Sequence, residues 1–320
     1  MGFPGTGKIW MNGTFVDWND ARIHIGSHVV HYGSGVFEGA RCYDTLQGPA
    51  CFRLDAHLRR LYDSARIYRM DVPYDQLTLT DAILELIQVN KFRACYIRPI
   101  VYRGYDSLGV NPLPCPVDVA IMLWEWGAYF TKEAIEDGLD VKISTWARNA
   151  PNTTPAMAKS VANYANAQLI KMEAIADGYA EGIALDTSGN LSEGSGQNVF
   201  IVREGIIYTP PVGDSVLWGI TRDSVITIAR ELGFDVREQT LPRETLYIAD
   251  EVFFVGTAVE VTPIRSVDRV KVGRGRRGPV TEALQQRFFQ IVKGEIADTH
   301  GWLQPVHTPA TATSGSVKGR

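Results

Sequence analysis

What the chain lacks narrows its role first. No run of apolar residues is long enough to cross a bilayer, and no charged-then-apolar leader stands at its start, so a soluble, cytoplasmic protein is expected. The four cysteines, Cys42, Cys51, Cys95 and Cys115, include no Cys-x-x-Cys pair, and each lies in apolar or strand-like sequence. That spacing argues against a zinc or disulfide framework and for buried free thiols; no metal is expected. A dominant charge is also missing, because 32 Lys and Arg against 36 Asp and Glu leave a net charge of -4. Without a basic block to follow a phosphate backbone, nucleic acid is not an expected partner. The short run Arg274-Gly275-Arg276-Arg277 reads as an exposed hairpin turn.

At 320 residues and 45% hydrophobic content, the chain exceeds the length at which single cores stop growing, and two domains are expected. An Asn12-Gly13 pair inside the alternating stretch Lys8 to Val16 signals a β-hairpin. Apolar residues recur at three and four from Asp55 to Tyr68 and from Leu77 to Val89, which predicts two amphipathic helices. Strands are predicted at Ala94 to Tyr102 and Asp118 to Trp126, followed by a polar connection to Gly138. The second half opens with a strand at Val141 to Ser144. A helix from Val161 to Ala176, stopped at Gly178, leads to short strands at 182–185, 198–202 and 206–208. A helix from Arg222 to Leu232, with Thr221 as N-cap and Gly233 as stop, precedes strands at 236–239 and 251–255. A last helix runs from Pro279 to Ile291. The expected division is a smaller N-terminal α/β domain at 1–126, a linker at 127–138, a larger C-terminal domain at 139–306 and a disordered tail at 307–320.

One lysine stands out, in Pro155-Ala156-Met157-Ala158-Lys159-Ser160-Val161-Ala162-Asn163-Tyr164. Any single lysine is ordinarily a solvated surface residue. Here Ala156, Ala158, Ser160 and Ala162 leave room for something flat against the backbone, and Pro151, Asn152 and Pro155 break the chain just before the predicted helix. A lysine turns nucleophilic toward an aldehyde when desolvation or a neighbouring cation lowers its pKa, so a crowded apolar setting suits Schiff-base chemistry.

Three later segments fit a single ligand, and each also has an ordinary reading. Gly219-Ile220-Thr221 opens a helix, where unpaired N–H groups and the dipole favour phosphate, as at any capped helix. Gly256-Thr257-Ala258 follows an apolar strand and either presents amides and a hydroxyl to an anion or simply turns the chain. Glu193, in Ser192-Glu193-Gly194-Ser195-Gly196-Gln197-Asn198, is a carboxylate among residues of little bulk. Loop glutamates are usually solvated, but one between glycine turns can be set against a ring nitrogen. Upstream, Tyr96 and Arg98 share one face of a predicted strand, as a surface pair or as a carboxylate receptor. The glycine-rich aromatic stretch His28 to Arg41 reads equally as a binding loop or a plain turn.

Taken together and in order, Ala158-Lys159-Ser160 with Asn163-Tyr164, the stretch Leu191 to Phe200, Gly219-Ile220-Thr221-Arg222 and Gly256-Thr257-Ala258 resemble the class IV, pyridoxal-phosphate-dependent aminotransferases. The pieces His31-Tyr32-Gly33-Ser34-Gly35-Val36-Phe37-Glu38-Gly39, Tyr96-Ile97-Arg98-Pro99 and Leu108-Gly109-Val110-Asn111-Pro112 look like the branched-chain amino acid aminotransferases among them. The resemblance spans nearly all of residues 8 to 305. It implies an α/β (α+β), two-domain fold type IV enzyme whose larger domain has a β-barrel-like core. It implies pyridoxal 5'-phosphate bound as a Schiff base to Lys159, with Glu193 at the pyridine nitrogen, Tyr164 at the phenolic oxygen and Leu217 on the ring face. Arg60, chosen over Arg59 for its spacing in His57-x-x-Arg60-Leu61, would hold the phosphate with Gly219, Ile220, Thr221 and Thr257. For the substrate, the resemblance puts Tyr96, Gly256, Thr257 and Ala258 at the α-carboxylate and Phe37, Tyr129 and Tyr164 around an aliphatic side chain. Arg98, with Tyr32 and Val110 of a second subunit, would receive the distal carboxylate of glutamate.

The activity so implied is ping-pong transfer of the amino group of L-leucine, L-isoleucine or L-valine to 2-oxoglutarate. Its partners are small amino acids and 2-oxo acids, in a homodimer or higher homo-oligomer. A D-amino acid or (R)-amine transaminase is the alternative on the same scaffold, with an aminodeoxychorismate lyase behind it. The Tyr96-x-Arg98 pair, with Tyr129, favours the branched-chain reading. A Schiff-base aldolase has no need of phosphate-binding turns or Glu193, and a non-enzymatic binding protein leaves Lys159 and Glu193 together unexplained. Trp218, where smaller residues are common, and Val161 and Ala162, at positions often glycine, depart from the family pattern and bear on substrate range.

Overall fold

The computed structural model describes residues 5, 7–126 and 132–306. Tyr129, the first part of the expected linker and the expected tail lie outside the described residues. Asn12 and Gly13 both adopt positive φ, 47° and 91°, and fold β1 (Lys8–Met11) onto β2 (Thr14–Asp17) as the sequence predicts. Then come α1 (His28–Tyr32), β3 (Gly35–Phe37), β4 (Ala40–Thr45) and β5 (Gly48–Phe52). The two amphipathic helices follow as α2 (Leu54–Ile67) and α3 (Gln76–Val89), then the long strands β6 (Cys95–Arg103) and β7 (Val117–Trp124). Leu58, Leu61, Leu79, Ile83 and Leu86 of the helices meet Ile97, Val101, Val119 and Ile121 of the strands in one buried cluster.

The second half runs α4 (Lys132–Asp137), β8 (Leu139–Ile143), α5 (Asn163–Ala176), β9 (Glu181–Leu185), β10 (Leu191–Gly194), β11 (Asn198–Arg203) and β12 (Ile206–Thr209). It continues through α6 (Ile220–Glu231), β13 (Val236–Glu238), β14 (Glu251–Gly256), β15 (Glu260–Val267), β16 (Val270–Lys271), α7 (Pro279–Val292) and β17 (Leu303–Pro305). The strands form two sheets. The first is ordered β17-β5-β4-β6-β7-β1-β2 with β3 beside β6, and the second β10-β9-β8-β15-β14-β11-β12-β13 with β16 beside β15. The last strand thus returns to the first sheet, pairing Leu303 with Phe52.

Strands β11 and β14 at the centre of the second sheet are continuously apolar from Val199 to Val202 and from Val252 to Val255 because both faces are covered there. Val199 and Ile201 of β11 and Val252 and Phe254 of β14 pack on one side, while Phe200, Val202, Phe253 and Val255 pack on the other, under α6 and α7. Phe200 and Phe253 are register partners whose rings stack at 5.1 Å.

Several local expectations need correction. Gly219, extended at φ -70°, is the N-cap of α6, and Thr221 lies inside its first turn. A side chain on Gly219 has no room, since its Cβ would stand 1.9 Å from Asn198 Oδ1. The run Arg274 to Arg277 joins β16 to α7; the hairpin is instead turned by Asp268 and Arg269, with φ of 50° and 65°. The eight-residue strand β15 was not expected, because Pro263 within it masks the strand pattern. Gly178 does stop α5, at φ 76°. Truncating Phe253 to Ala should lower the free energy of unfolding by about 3–5 kcal/mol in a denaturant titration. A loss under about 1 kcal/mol would show that the two faces are not closely packed there.

Candidate active site

Lys159 belongs by sequence to the second half but is fixed by the first. Its carbonyl accepts from Phe37 N–H at 3.0 Å, Val161 N–H donates to the Gly35 carbonyl at 2.9 Å, and Ser160 forms an antiparallel bridge with Val36. The segment is therefore an added edge strand on β3. Ser64 Oγ of α2 accepts the Lys159 N–H at 3.0 Å. At the other end of the side chain, Nζ lies 2.5 Å from Tyr164 Oη and 5.1 Å from the centre of the Phe37 ring. Asn163, at the head of α5, donates to the Pro155 and Ala158 carbonyls and pins the loop that carries the lysine. Of the four small neighbours, Ala156 and Ala158 line the cavity, whereas Ser160 is buried and Ala162 is exposed beside Gly33. The cavity reaches neither Ser160, which pairs with β3, nor Ala162, which is exposed beside Gly33.

Glu193 projects from β10, whose pairing with β9 shifts register between Leu191 and Gly194, an irregularity that re-aims a side chain. It is 5% exposed, and Oε1 lies 2.8 Å from Arg148 Nη2. Oε2 accepts from Asn198 Nδ2 and the Leu217 N–H, each at 3.1 Å. Burial pushes the Glu193 carboxyl above its ordinary value, against the opposing pull of Arg148 and the Leu217 amide.

A second buried carboxylate, Glu38, orients the arginine of the first half. Arg60 Nε and Nη2 donate to its two oxygens at 2.5 and 2.9 Å, and Arg60 Nη1 donates to the Trp218 carbonyl at 2.7 Å. His57 Nδ1 is 2.8 Å from the same carboxylate. Burial alone raises the Glu38 carboxyl, but Arg60 and His57 together hold it well below the usual range; burial lowers the His57 ring despite Glu38. Arg59 points away, mostly exposed beside Asp63, which supports the choice of Arg60. Arg60 thereby faces the opening of α6, where the first N–H groups have no intrahelical acceptor.

The remaining wall comes from β6 and the turn after β14. Tyr96 packs on Trp124 and Trp126 with ring centres 4.8 and 4.5 Å away, and Gly39 is required opposite it, because a Cβ there would sit 1.8 Å from Tyr96 Oη. The Arg98 guanidinium lies 4.7 Å from the Phe37 ring centre and 5.3 Å from that of Tyr96, so the two strand residues do share a face. Its Nε is buried without a hydrogen-bond partner among the described residues. Across the cavity, the Ala258 carbonyl accepts from Arg41 Nη2 at 3.0 Å, and Arg41 is paired with Glu260 at 3.5 Å, which ties the 256–258 turn to the first sheet.

One cavity of about 310 Å³ is lined by Phe37, Arg60, Tyr96, Arg98, Lys159, Tyr164, Glu193, Leu217, Gly219, Ile220, Thr221, Gly256, Thr257 and Ala258. Fourteen positions named from sequence therefore converge. Tyr32 and Val110 are not among the lining residues: at 45% and 82% exposed they lie on the surface, with Tyr32 Oη donating to the Leu108 carbonyl at 2.8 Å. Sequence reading missed Arg148, Asn198, Glu38, Ser64 and Asn163, which orient the others. Glu38 and Asn198 carried a signal as polar residues inside glycine-rich segments, and Asn163 as the neighbour of Tyr164 in the motif around Lys159; Arg148 and Ser64 carried none. Among the described residues, no group of three His, Cys, Asp or Glu side chains could hold a metal ion, and no helix is long and apolar enough to cross a membrane.

With this geometry in place, comparison with known proteins is informative. The amino-transferase class IV family pattern matches residues 35–267. The branched-chain-amino-acid aminotransferase of Salmonella typhimurium is 51% identical over 301 residues, covering 94% of this chain and 97% of that protein. The crystal structure of the Escherichia coli branched-chain amino acid aminotransferase superposes with a TM-score of 0.93 at 50% identity, over 94% of this chain and 100% of its own. That of the T.th. branched-chain amino acid aminotransferase complexed with N-(5'-phosphopyridoxyl)-L-glutamate superposes with a TM-score of 0.91 at 46% identity, over 94% and 99%.

Because the Glu38 carboxyl is held below its ordinary value, its ionisation stabilises the fold fully above about pH 4.3, and that contribution is lost as pH falls further. Glu38→Gln should cost about 3–5 kcal/mol at neutral pH, since it leaves Arg60 buried with a neutral partner. It should also flatten the dependence of unfolding free energy on pH between about 5 and 3. An unchanged slope would mean that another carboxylate dominates acid unfolding.

Proposed function

The chain belongs to the class IV aminotransferases and, within them, to the branched-chain-amino-acid aminotransferases, and from that premise we propose the reaction it performs. It moves the amino group of L-leucine, L-isoleucine or L-valine to 2-oxoglutarate in two half-reactions, using pyridoxal 5'-phosphate. The observation that carries this reading is the convergence of a lysine, a buried carboxylate and an arginine beside a helix N-terminus on one cavity.

The residues suit that cofactor. Arg60, the amides of Ile220 and Thr221 and the Thr257 hydroxyl form a cradle for a phosphate dianion, kept open by the glycine at 219. Glu193 is the acceptor for a protonated pyridine nitrogen; burial raises its proton affinity, while Arg148 pulls the other way and favours the charged form. Leu217 covers a ring face. When bound, pyridoxal phosphate supplies an aldehyde that takes up the amino group and a ring that stores the electron pair left at Cα.

The chain's own groups do the rest. Lys159 would attach the cofactor and, once released from it, would carry the proton between the substrate Cα and the cofactor's C4' carbon on the other side of the amino nitrogen. Tyr164, at 2.5 Å from Nζ, holds the lysine in position and donates to the phenolic oxygen. Tyr96 and the Thr257 and Ala258 amides take the α-carboxylate, while Phe37 and Tyr164 shape the aliphatic pocket. Arg98 receives the distal carboxylate of glutamate, and the complex of the T.th. relative with a phosphopyridoxyl-glutamate supports that second substrate.

The site is completed by a second copy of the chain. Ile25, Val30, Tyr32, Tyr105, Leu108 and Val110 are all exposed, in two segments joined by the Ser27–Tyr105 bridge and by His28 Nε2 at 3.0 Å from the Gly109 carbonyl. Such a surface is an interface in waiting. Tyr32 and Val110 of the partner then close the pocket near Arg98. The four free, buried cysteines fit a reducing cytoplasm.

Borohydride treatment of the yellow protein should abolish its visible band and leave the label on Lys159; a protein that takes up no pyridoxal phosphate ends the proposal. Arg98→Leu should lower kcat/KM for glutamate by about 10- to 150-fold, the worth of a charge-assisted hydrogen bond, while changing that for leucine by less than about threefold. Equal losses would remove the role given to Arg98. Reaction with D-alanine faster than with L-leucine would favour the D-amino acid reading. Val110→Asp should shift the protein from dimer to monomer in light scattering and lower turnover with it.

A further inference from the structure

Behind the hairpin that carries Glu193 lies another buried carboxylate with no direct part in the proposed reaction. Glu181, the first residue of β9, is 0% exposed and fully partnered. Its Oε1 accepts from Ser195 Oγ at 2.8 Å and from the Gly182 N–H at 2.9 Å. Its Oε2 accepts from Lys171 Nζ at 2.9 Å and from Gln197 Nε2 at 3.0 Å. Ser195 and Gln197 flank Gly196 in the loop between β10 and β11, so this one carboxylate grips both sides of the turn whose arms are Glu193 and Asn198. Lys171 belongs to α5, seven residues beyond Tyr164 and hence on the same helix face; both line the cavity.

We infer that Glu181 is a positioning residue: with Lys171 it locks the face of α5 that presents Tyr164 to the hairpin that presents Glu193. It thereby sets how tightly pyridoxal phosphate is held and the pH at which the bound chromophore changes colour. The inference rests on the cofactor reading above. The charged and titratable groups around Lys159 are Tyr164 and Lys171 on α5, Glu193 on β10, Arg148 in the stretch after β8, Arg60 and His57 on α2, and Tyr96 and Arg98 on β6. Of these, Glu193 and Tyr164 ride on the elements that Glu181 ties together. A glutamine at 181 cannot serve, because its amide presents N–H groups to partners that already donate.

The test compares full-length wild-type, Glu181→Gln and Ser195→Ala holoproteins. Cofactor affinity is read by equilibrium dialysis, the absorbance midpoint by pH titration, and kcat and KM with L-leucine. Glu181→Gln should weaken cofactor binding about tenfold, move the midpoint by about half a pH unit or more, and lower kcat more than it raises KM. Ser195→Ala, which removes one donor and leaves the Lys171 pair, should move the midpoint in the same direction by less. If Glu181→Gln does not fold, the Ser195→Ala midpoint decides, and an unmoved midpoint overturns the inference. Variants that lose only melting temperature, with wild-type affinity and midpoint, reduce Glu181 to a structural role and leave the reaction standing. A wild-type protein that binds no pyridoxal phosphate overturns both.

Discussion

A main-chain hydrogen bond from Phe37 N–H to the Lys159 carbonyl, at 3.0 Å, joins the two halves of the chain where the chemistry is proposed to occur. A lysine side chain has four rotatable bonds and wanders unless its root is fixed. Here the root is an edge strand on β3, itself paired with β6, so Lys159 shares one rigid sheet with Tyr96 and Arg98. The groups that face it from the other side, Glu193 and the opening of α6, belong to the second sheet. Any slip between the sheets therefore changes the distance from Lys159 to Glu193 and to the opening of α6. The contacts that prevent slip are numerous: Arg60 to the Trp218 carbonyl, Arg41 to the Ala258 carbonyl, Arg53 to Asp223, and β17 returning to β5.

Two buried glutamates on this joint show how environment divides labour between identical side chains. Glu38 is neutralised on one side by Arg60 and approached on the other by His57, and it is driven far toward the ionised form. Its purpose is geometric, to hold a guanidinium with its free edge toward the helix opening. Glu193 has one arginine and two neutral donors, and burial wins, leaving a carboxylate with proton affinity to share. A carboxylate held as strongly as Glu38 has little left to offer a ring nitrogen.

Much of this was readable from the chain because each feature is local. An Asn-Gly pair between alternating segments favours a tight hairpin turn, the three-four spacing from Asp55 to Tyr68 makes one apolar face only as a helix, and the His57-x-x-Arg60 spacing separates Arg60 from Arg59 by one helical step of about 100°, given 3.6 residues per turn. What was not readable depends on pairing between distant segments. The segment after Pro155 looks like a loop because its strand partner, β3, lies more than a hundred residues earlier. Strand β15 was hidden by Pro263, and α6 begins earlier than its Thr221 suggests, since the residue that caps it is chosen by a clash with Asn198 that no local pattern records. Arg148 gives no signal at all, being one arginine in a stretch without periodicity. The residues in contact with a ligand are legible from composition and motif; those that aim them are visible only in three dimensions.

The substrate pocket must solve a harder problem than the cofactor site, since under the proposed reaction it admits an isobutyl group in one half-reaction and a carboxylate-bearing chain in the next. A bare arginine in an apolar pocket would be costly whenever leucine occupied it, because a buried charge without a partner is strongly penalised. Arg98 avoids most of that cost by lying against the rings of Phe37, Tyr96 and Trp124, at 4.7, 5.3 and 5.4 Å, whose faces attract a cation without offering a hydrogen bond. Those same faces are apolar enough to receive an aliphatic chain. The Arg98 Nε is buried and unpaired among the described residues, and the residue lines the cavity, so under the proposed reaction an arriving carboxylate would meet a cation there. Under that reaction, aromatic rings around one arginine would let a single cavity be hydrophobic toward leucine and cationic toward glutamate.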